Sequence, residues 1–147
     1  MKTIFKFFTL ALICLVTTNC HAQYYTGQKV FKDKFPSETK DYNQDTYIKI
    51  ENASGDIIVA VENTYTGRVI QHAYITSRDT YKFKYIPVGT YVCKYMWTDS
   101  YGKKRYEKDN STMDFLKDQY GGYVITLTET PLGNLSQSGI SENEFFD

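Results

Sequence analysis

The sequence predicts an all-β fold, a single antiparallel β-sandwich of about seven strands. Between Thr46 and Thr128 the chain falls into short runs rich in β-branched and aromatic residues. Turn signals separate these runs at spacings of roughly 8–12 residues. The run after Ile86-Pro87-Val88-Gly89 has a period of two, with Tyr91, Cys93, Tyr95 and Trp97 on one face and Val92, Lys94 and Met96 on the other. That alternation belongs to a strand whose side chains point up and down in turn. The turns between runs are tight and sequential, which favours antiparallel pairing of neighbours.

The elements follow in chain order. Residues 1–22 read as a signal peptide rather than part of the fold: a basic start at Lys2 and Lys6, a short apolar run from Phe7 to Val16, and Cys20-His21-Ala22 before Gln23. The apolar run is too short to span a bilayer, and no later segment is long and apolar enough to do so. Two processing sites fit. Cleavage after Ala22 releases a soluble chain. Lipidation of Cys20 anchors it, although Asn19 departs from the small residue preferred before such a cysteine. Residues 23–45 show no sustained period and read as a polar spacer, with Val30-Phe31 able to dock on the domain.

The domain is expected over residues 46–130. Thr46–Glu51 holds Tyr47, Ile48 and Ile50, and Asn52-Ala53-Ser54-Gly55 turns the chain. Asp56–Asn63 is apolar enough for a central strand. After the Thr64–Gly67 turn, Arg68–Thr76 is the third strand and Thr80–Tyr85 the fourth, with Tyr81, Phe83 and Tyr85 alternating against Lys82 and Lys84. The Ile86–Trp97 strand ends at Asp99-Ser100-Tyr101-Gly102, and Lys103–Glu107 returns as an exposed hairpin arm. Asn110 or Ser111 is placed to cap one helical turn through Met113–Leu116. Tyr123–Thr128 is the last strand, and residues 131–147 form a flexible C-terminal tail ending in Phe145-Phe146, two rings either docked on the domain or free for a partner.

Composition bounds the function. Removing Lys2 and Lys6 with the leader takes 17 basic and 17 acidic residues to 15 and 17, so no electrostatic case arises for nucleic acid or an anionic surface. Of three cysteines only Cys93 survives cleavage at Ala22, which leaves no internal disulfide. Its thiol sits between Tyr91 and Tyr95 on one face and reads as a small buried hydrophobe.

A catalytic centre needs a base, a nucleophile and an orienting group together, and His72, in an apolar run, is the one histidine of the mature chain. No nucleophile elbow or phosphate-cradling glycine loop is present. One His and one Cys do not make a zinc set. Asp41-Tyr42-Asn43-Gln44-Asp45 begins like a calcium loop, but Thr46 stands where the glycine is required and Asn52 where the bidentate Glu belongs. The chain therefore reads as non-catalytic, with no cofactor and no metal.

Aromatic residues make up 16% of the chain, which brings carbohydrate into consideration, since sugars stack on flat apolar rings. Tyr95, Trp97, Asp99 and Tyr101 are the candidate binding residues, a platform near a strand end; the competing reading is that Trp97 closes the core and the tyrosines fill half-buried positions.

The segment Lys84-Tyr85-Ile86-Pro87-Val88-Gly89-Thr90-Tyr91-Val92-Cys93-Lys94-Tyr95 resembles the hydrophobic-Pro-x-Gly-x-Tyr hairpin of carboxypeptidase-regulatory-like and transthyretin-like domains. The wider run from Thr46 to Glu129 is similar to small secreted proteins of Gram-negative bacteria. The resemblance implies a seven-stranded sandwich without catalysis and carries no active-site residues. Cys93 and Lys94 depart from its usual aliphatic alternation. The expected function is an exported, non-catalytic binding or interaction module of the cell envelope, in the periplasm or at the cell surface. Its partner would be a protein or a glycan; the alternative is a carbohydrate-binding module built on Trp97.

Overall fold

The computed structural model describes residues 23–53, 55–128 and 137–147. The leader reading, with Cys14 and Cys20, lies outside the described residues. The described chain is an all-β sandwich of two packed sheets with nine strands and one short helix. The strands are β1 (Thr46–Asn52), β2 (Ile57–Asn63), β3 (Val69–Ile75), β4 (Thr80–Lys84), β5 (Gly89–Thr98), β6 (Lys104–Asp109), β7 (Met113–Phe115), β8 (Gly121–Leu127) and β9 (Gln137–Gly139); α1 spans Glu142–Phe146. A three-stranded sheet has the order β4-β1-β8, and a six-stranded sheet runs β3-β2-β5-β6-β9 with β7 beside β5.

The sandwich is as expected, and its details differ in three ways. The strand count is nine rather than about seven. Met113–Phe115, read as a possible helical turn, is strand β7, because Met113 and Phe115 are buried on either side of exposed Asp114 and pair with β5. One pair is not antiparallel: β8 runs parallel to β1, Ile48 opposite Tyr123 and Ile50 opposite Ile125. The chain spends β5, β6 and β7 in the larger sheet before β8 enters the smaller one, so no hairpin fixes the direction of β8. The parallel pair is close enough that a Cβ on Gly122 would fall 1.7 Å from the Tyr47 carbonyl oxygen. Only glycine fits there.

The inter-sheet core follows from the period of two. Ile48 and Ile50 of β1, Phe83 of β4, and Ile125 and Leu127 of β8 meet Ile57, Val59 and Val61 of β2, Ala73 and Ile75 of β3, and Tyr91, Cys93 and Tyr95 of β5. Cys93 is a free, buried thiol whose pKa burial pushes well up. That matches the reading of an inert core residue.

The opposite face of the six-stranded sheet is also covered. Register places Tyr74, Ile58, Met96 and Tyr106 in one row across β3, β2, β5 and β6, and His72, Ala60, Lys94 and Lys108 in the next. Phe35 from the N-terminal segment and Phe145 from α1 lie on these rows with Ile58, Ala60, Val69 and Met96. The spacer reading of residues 23–45 is thus refined: Val30 and Phe31 dock as anticipated, Phe35 is buried, and the segment runs along the free edge of β3. Gly27 N–H donates to the Tyr74 carbonyl (2.8 Å) and Tyr74 N–H donates to that of Gln28 (2.9 Å).

The flexible-tail reading of residues 131–147 is corrected for 137–147. β9 pairs with β6, and Ser141 caps α1 by accepting from Glu144 N–H. Phe145 is fully buried against Phe35 and Tyr106. An isolated five-residue helix is not stable in water, so tertiary burial of Phe145 holds this one.

Candidate functional site

The binding residues proposed from sequence do not form a single platform. Tyr95 is fully buried in the inter-sheet core, and its hydroxyl donates to Asp109 Oδ2 at 2.8 Å. Odd positions of β5 face the other sheet, so any surface role at Tyr95 is closed off. Asp99 organises the β5–β6 turn: Oδ1 accepts from the N–H groups of Tyr101 (3.0 Å) and Lys103 (2.9 Å), and Oδ2 from Arg105 Nε (2.8 Å). The Lys103 N–H, then the Arg105 contact, hold this carboxyl below its ordinary range. Tyr101 projects from the tip of that turn, 93% exposed. Trp97 packs part-exposed against the inter-sheet core, as the competing reading had it, and alone among the four also borders a concave site.

That site is a groove of about 590 Å³ at the end of the six-stranded sheet. Ile58 and Met96, paired across the interior strands β2 and β5, lie beneath it, and Ile57, which faces the inter-sheet core, borders it at the start of β2. Val30 and Phe31 close one side, placed there by the pairing of residues 27–28 with Tyr74. Gly27 is needed for that pairing, since its φ is +91° and a Cβ would press to 2.9 Å from the Tyr81 ring.

Two aromatic rings, Tyr24 and Tyr74, stand on the Ile58–Met96 side of the groove, while Trp97, also at its edge, packs its ring against the inter-sheet core on the other face of the sheet. Tyr24 and Tyr74 lie with ring centroids 5.2 Å apart and planes at 56°, a favoured tilted contact. Asp56 fixes the Tyr74 ring by accepting from its hydroxyl at 2.5 Å, and its other oxygen accepts from Ser77 N–H at 2.9 Å. Burial, then the Asp56 carboxylate, pushes the Tyr74 phenol well above its ordinary range. Thr98 and Lys104, opposite one another on β5 and β6, complete the mouth.

The sequence marked Trp97 and the docking of Val30-Phe31, but not Tyr24, Asp56, Tyr74 or Lys104. Tyr74 carried a signal in its strand period. Tyr24 carried none, because a segment without periodicity gives no register against β3.

A second cavity, about 560 Å³, is lined by residues that include His72, Phe35, Lys29 and Lys32. His72 is buried with its ring 4.6 Å from that of Phe35, and Nε2 has no hydrogen-bond partner among the described residues. Burial, then the nearby Lys29 ammonium, lowers its pKa to about 4. Lys29 is committed: it contacts the His72 carbonyl and pairs with Glu38 at 2.5 Å. Glu38 in turn pairs with Lys40.

The Asp41–Asp45 stretch is a turn entering β1, with Asp41 Oδ1 accepting from Asn43 N–H at 3.0 Å. Among the described residues no three His, Cys, Asp or Glu side chains converge as a metal set, and no helix is long and apolar enough to cross a membrane. No family model, no curated protein and no solved structure matches this chain.

Proposed function

We propose that this chain is an exported, non-catalytic binding module of the cell envelope whose contact surface is the groove at the Trp97 end of the larger sheet. One observation carries the reading: the docked N-terminal segment leaves a groove of about 590 Å³ at that end of the sheet, with the Tyr24 and Tyr74 rings in contact on one side and Asp56 holding the Tyr74 hydroxyl. Concave sites with an apolar lining and a few placed polar groups are where proteins bind small ligands or anchor partner side chains. The likeness of the Lys84–Tyr95 hairpin to carboxypeptidase-regulatory-like and transthyretin-like domains supports a role without catalysis, and the leader-like start supports export.

Envelope fractions passed over the immobilised chain test the surface. Retention should fall on Tyr24→Ala and on Lys104→Gln, changes at exposed groove residues outside the inter-sheet core; retention equal to the parent chain's by both variants would sink the groove. Mass spectrometry of the mature N-terminus tests export. A chain beginning at Gln23, or a lipid-modified Cys20, is expected, and a retained Met1 would overturn it.

A carbohydrate ligand is the second reading, favoured by the contact of the Tyr24 and Tyr74 rings in a groove that Trp97 borders. A glycan array showing binding that Trp97→Phe abolishes would establish it.

A further inference from the structure

We propose that β8 is a pairing edge whose occupant is β8 of a second copy of this chain, lying antiparallel to it across a two-fold axis at Val124. The groove belongs to the other sheet, so this inference stands apart from it.

The edges of the two sheets are treated unequally. Residues 27–28 lie along β3, and β9 lies along β6. β7 and β9 are themselves only three residues long. β4 is longer, and lysine guards its outer side. Tyr85 N–H donates to the Thr46 carbonyl and Asn52 N–H to that of Asp79. The odd residues of β4 therefore face β1, and Thr80, Lys82 and Lys84 turn their backbone groups outward. Short strands, covered edges and edge lysines are devices that keep one sheet from pairing with another.

β8 has none of them. Gly121–Leu127 is seven residues long, with no charged residue and no proline. Gly121 N–H donates to the Asp45 carbonyl, and the Leu127 carbonyl accepts from Ala53 N–H, so the odd residues face β1. The N–H and C=O groups of Gly122, Val124 and Thr126 point away from the sheet, and no group among the described residues takes them up. Val124, in the middle of the strand, is 53% exposed.

The strand suits its own copy. Antiparallel pairing about Val124 sets Val124 opposite Val124 and Gly122 opposite Thr126, and each such pair exchanges both of its hydrogen bonds. Every outward group of the strand is then used. No charge within the strand meets a like charge, and each exposed valine covers the other. A contact of this kind uses the same patch on both copies and closes on itself. The joined sheet has the order β4-β1-β8-β8-β1-β4. Both of its ends are the lysine-guarded β4, so growth stops at two copies.

Sedimentation of the full chain from micromolar to millimolar concentration tests the proposal, since so narrow a seam belongs to the weaker associations. A monomer–dimer equilibrium is expected, with amide exchange at Gly122, Val124 and Thr126 slowing as the dimer fills. Val124→Pro removes the N–H at the axis, at an edge position where proline is tolerated, and should weaken the dimer about tenfold or more. Val124→Lys keeps the amide but sets like charges face to face, and should weaken the dimer as well. Val124 is exposed, so the lysine variant keeps the fold. A chain monomeric throughout, or a dimer that neither variant weakens, overturns the proposal. So does a chain that is monomeric alone and gains protection at these amides only in envelope extract, because the edge then takes the strand of another protein.

Discussion

On the six-stranded sheet, the face carrying Ile57, Val59, Cys93 and Tyr95 meets another sheet, whereas the face carrying Ile58, Ala60, Lys94 and Met96 meets the two ends of the chain. The first interface is continuous, with aliphatic and aromatic side chains from β1, β4 and β8 closing over it. The second is assembled from Phe35 and Phe145 together with buried charge. Lys94 is 1% exposed, paired with Glu62 Oε2, and donates to the Glu144 carbonyl; Lys108 holds the other Glu62 oxygen at 2.9 Å. A sheet closed by another sheet opens only with global unfolding. A face closed by chain ends can open locally while the sandwich persists.

The largest expected effect breaks the charged part of the outer face. Glu62→Leu leaves Lys94 buried without its counter-charge and should cost about 3–5 kcal/mol in urea denaturation. Glu62→Leu with Lys94→Met removes both charges. Lys108 is part-exposed and keeps its hydration, so the double variant should recover most of the loss. A double variant as unstable as the single one would mean that the pair contributes more than the relief of mutual desolvation.

The two faces are compared directly by truncating one phenylalanine on each. Phe83 and Phe145 are both fully buried. Phe83→Ala removes a ring locked between sheets and should cost about 3–5 kcal/mol of global stability. Phe145→Ala should instead release α1 and β9, raising amide exchange over residues 137–147 and along β6 while protection of β1 and β2 stays near its original level. Equal loss of protection everywhere would make the two faces one cooperative unit.

Acidification acts on the outer face through His72. Its folded pKa, about 4, lies below its ordinary 6.5. Between those values the unfolded chain binds the extra proton, so stability is full above about pH 6.5 and falls as pH drops toward 4, by up to about 3 kcal/mol. His72→Gln should remove that part of the pH dependence. A wild-type profile that overlays the variant's from pH 7 to 4 would show that the imidazole is protonated as easily in the fold as out of it.

The same contrast explains what the sequence revealed. Strand periodicity announced the inter-sheet core because each residue's face follows from its neighbours two positions away. The outer face depended on Tyr24, Phe35 and Phe145, which sit in segments with no period and reach the sheet only through tertiary register. The alternation along β5 did not show that its even positions are covered too, since Lys94 is a residue type almost never buried unless paired. Its partner Glu62 lies on β2, and only the antiparallel register of β2 with β5 brings them together. The parallel placement of β8 was hidden for a related reason: no turn signal encodes a pairing between strands that are not consecutive. Trp97 was legible as the end of the longest strand, whereas Tyr74 and Asp56 reach the same end of the sheet only through strand order.

The smallest effects come from the two tyrosines that the sequence grouped with Trp97, and they sharpen the contrast between buried and exposed positions of one hairpin. Tyr95→Phe keeps the ring but leaves the buried Asp109 carboxylate without the hydroxyl that donates to it, a loss of about 1–3 kcal/mol. Tyr101→Ala removes a larger group, yet that side chain is 93% exposed at the turn, and its backbone N–H still donates to Asp99. Its effect should stay within about 0.5 kcal/mol. Thermal denaturation of the two variants side by side checks the pair: if Tyr101→Ala proves the more damaging, the tip of the hairpin is doing structural work that its exposure does not predict.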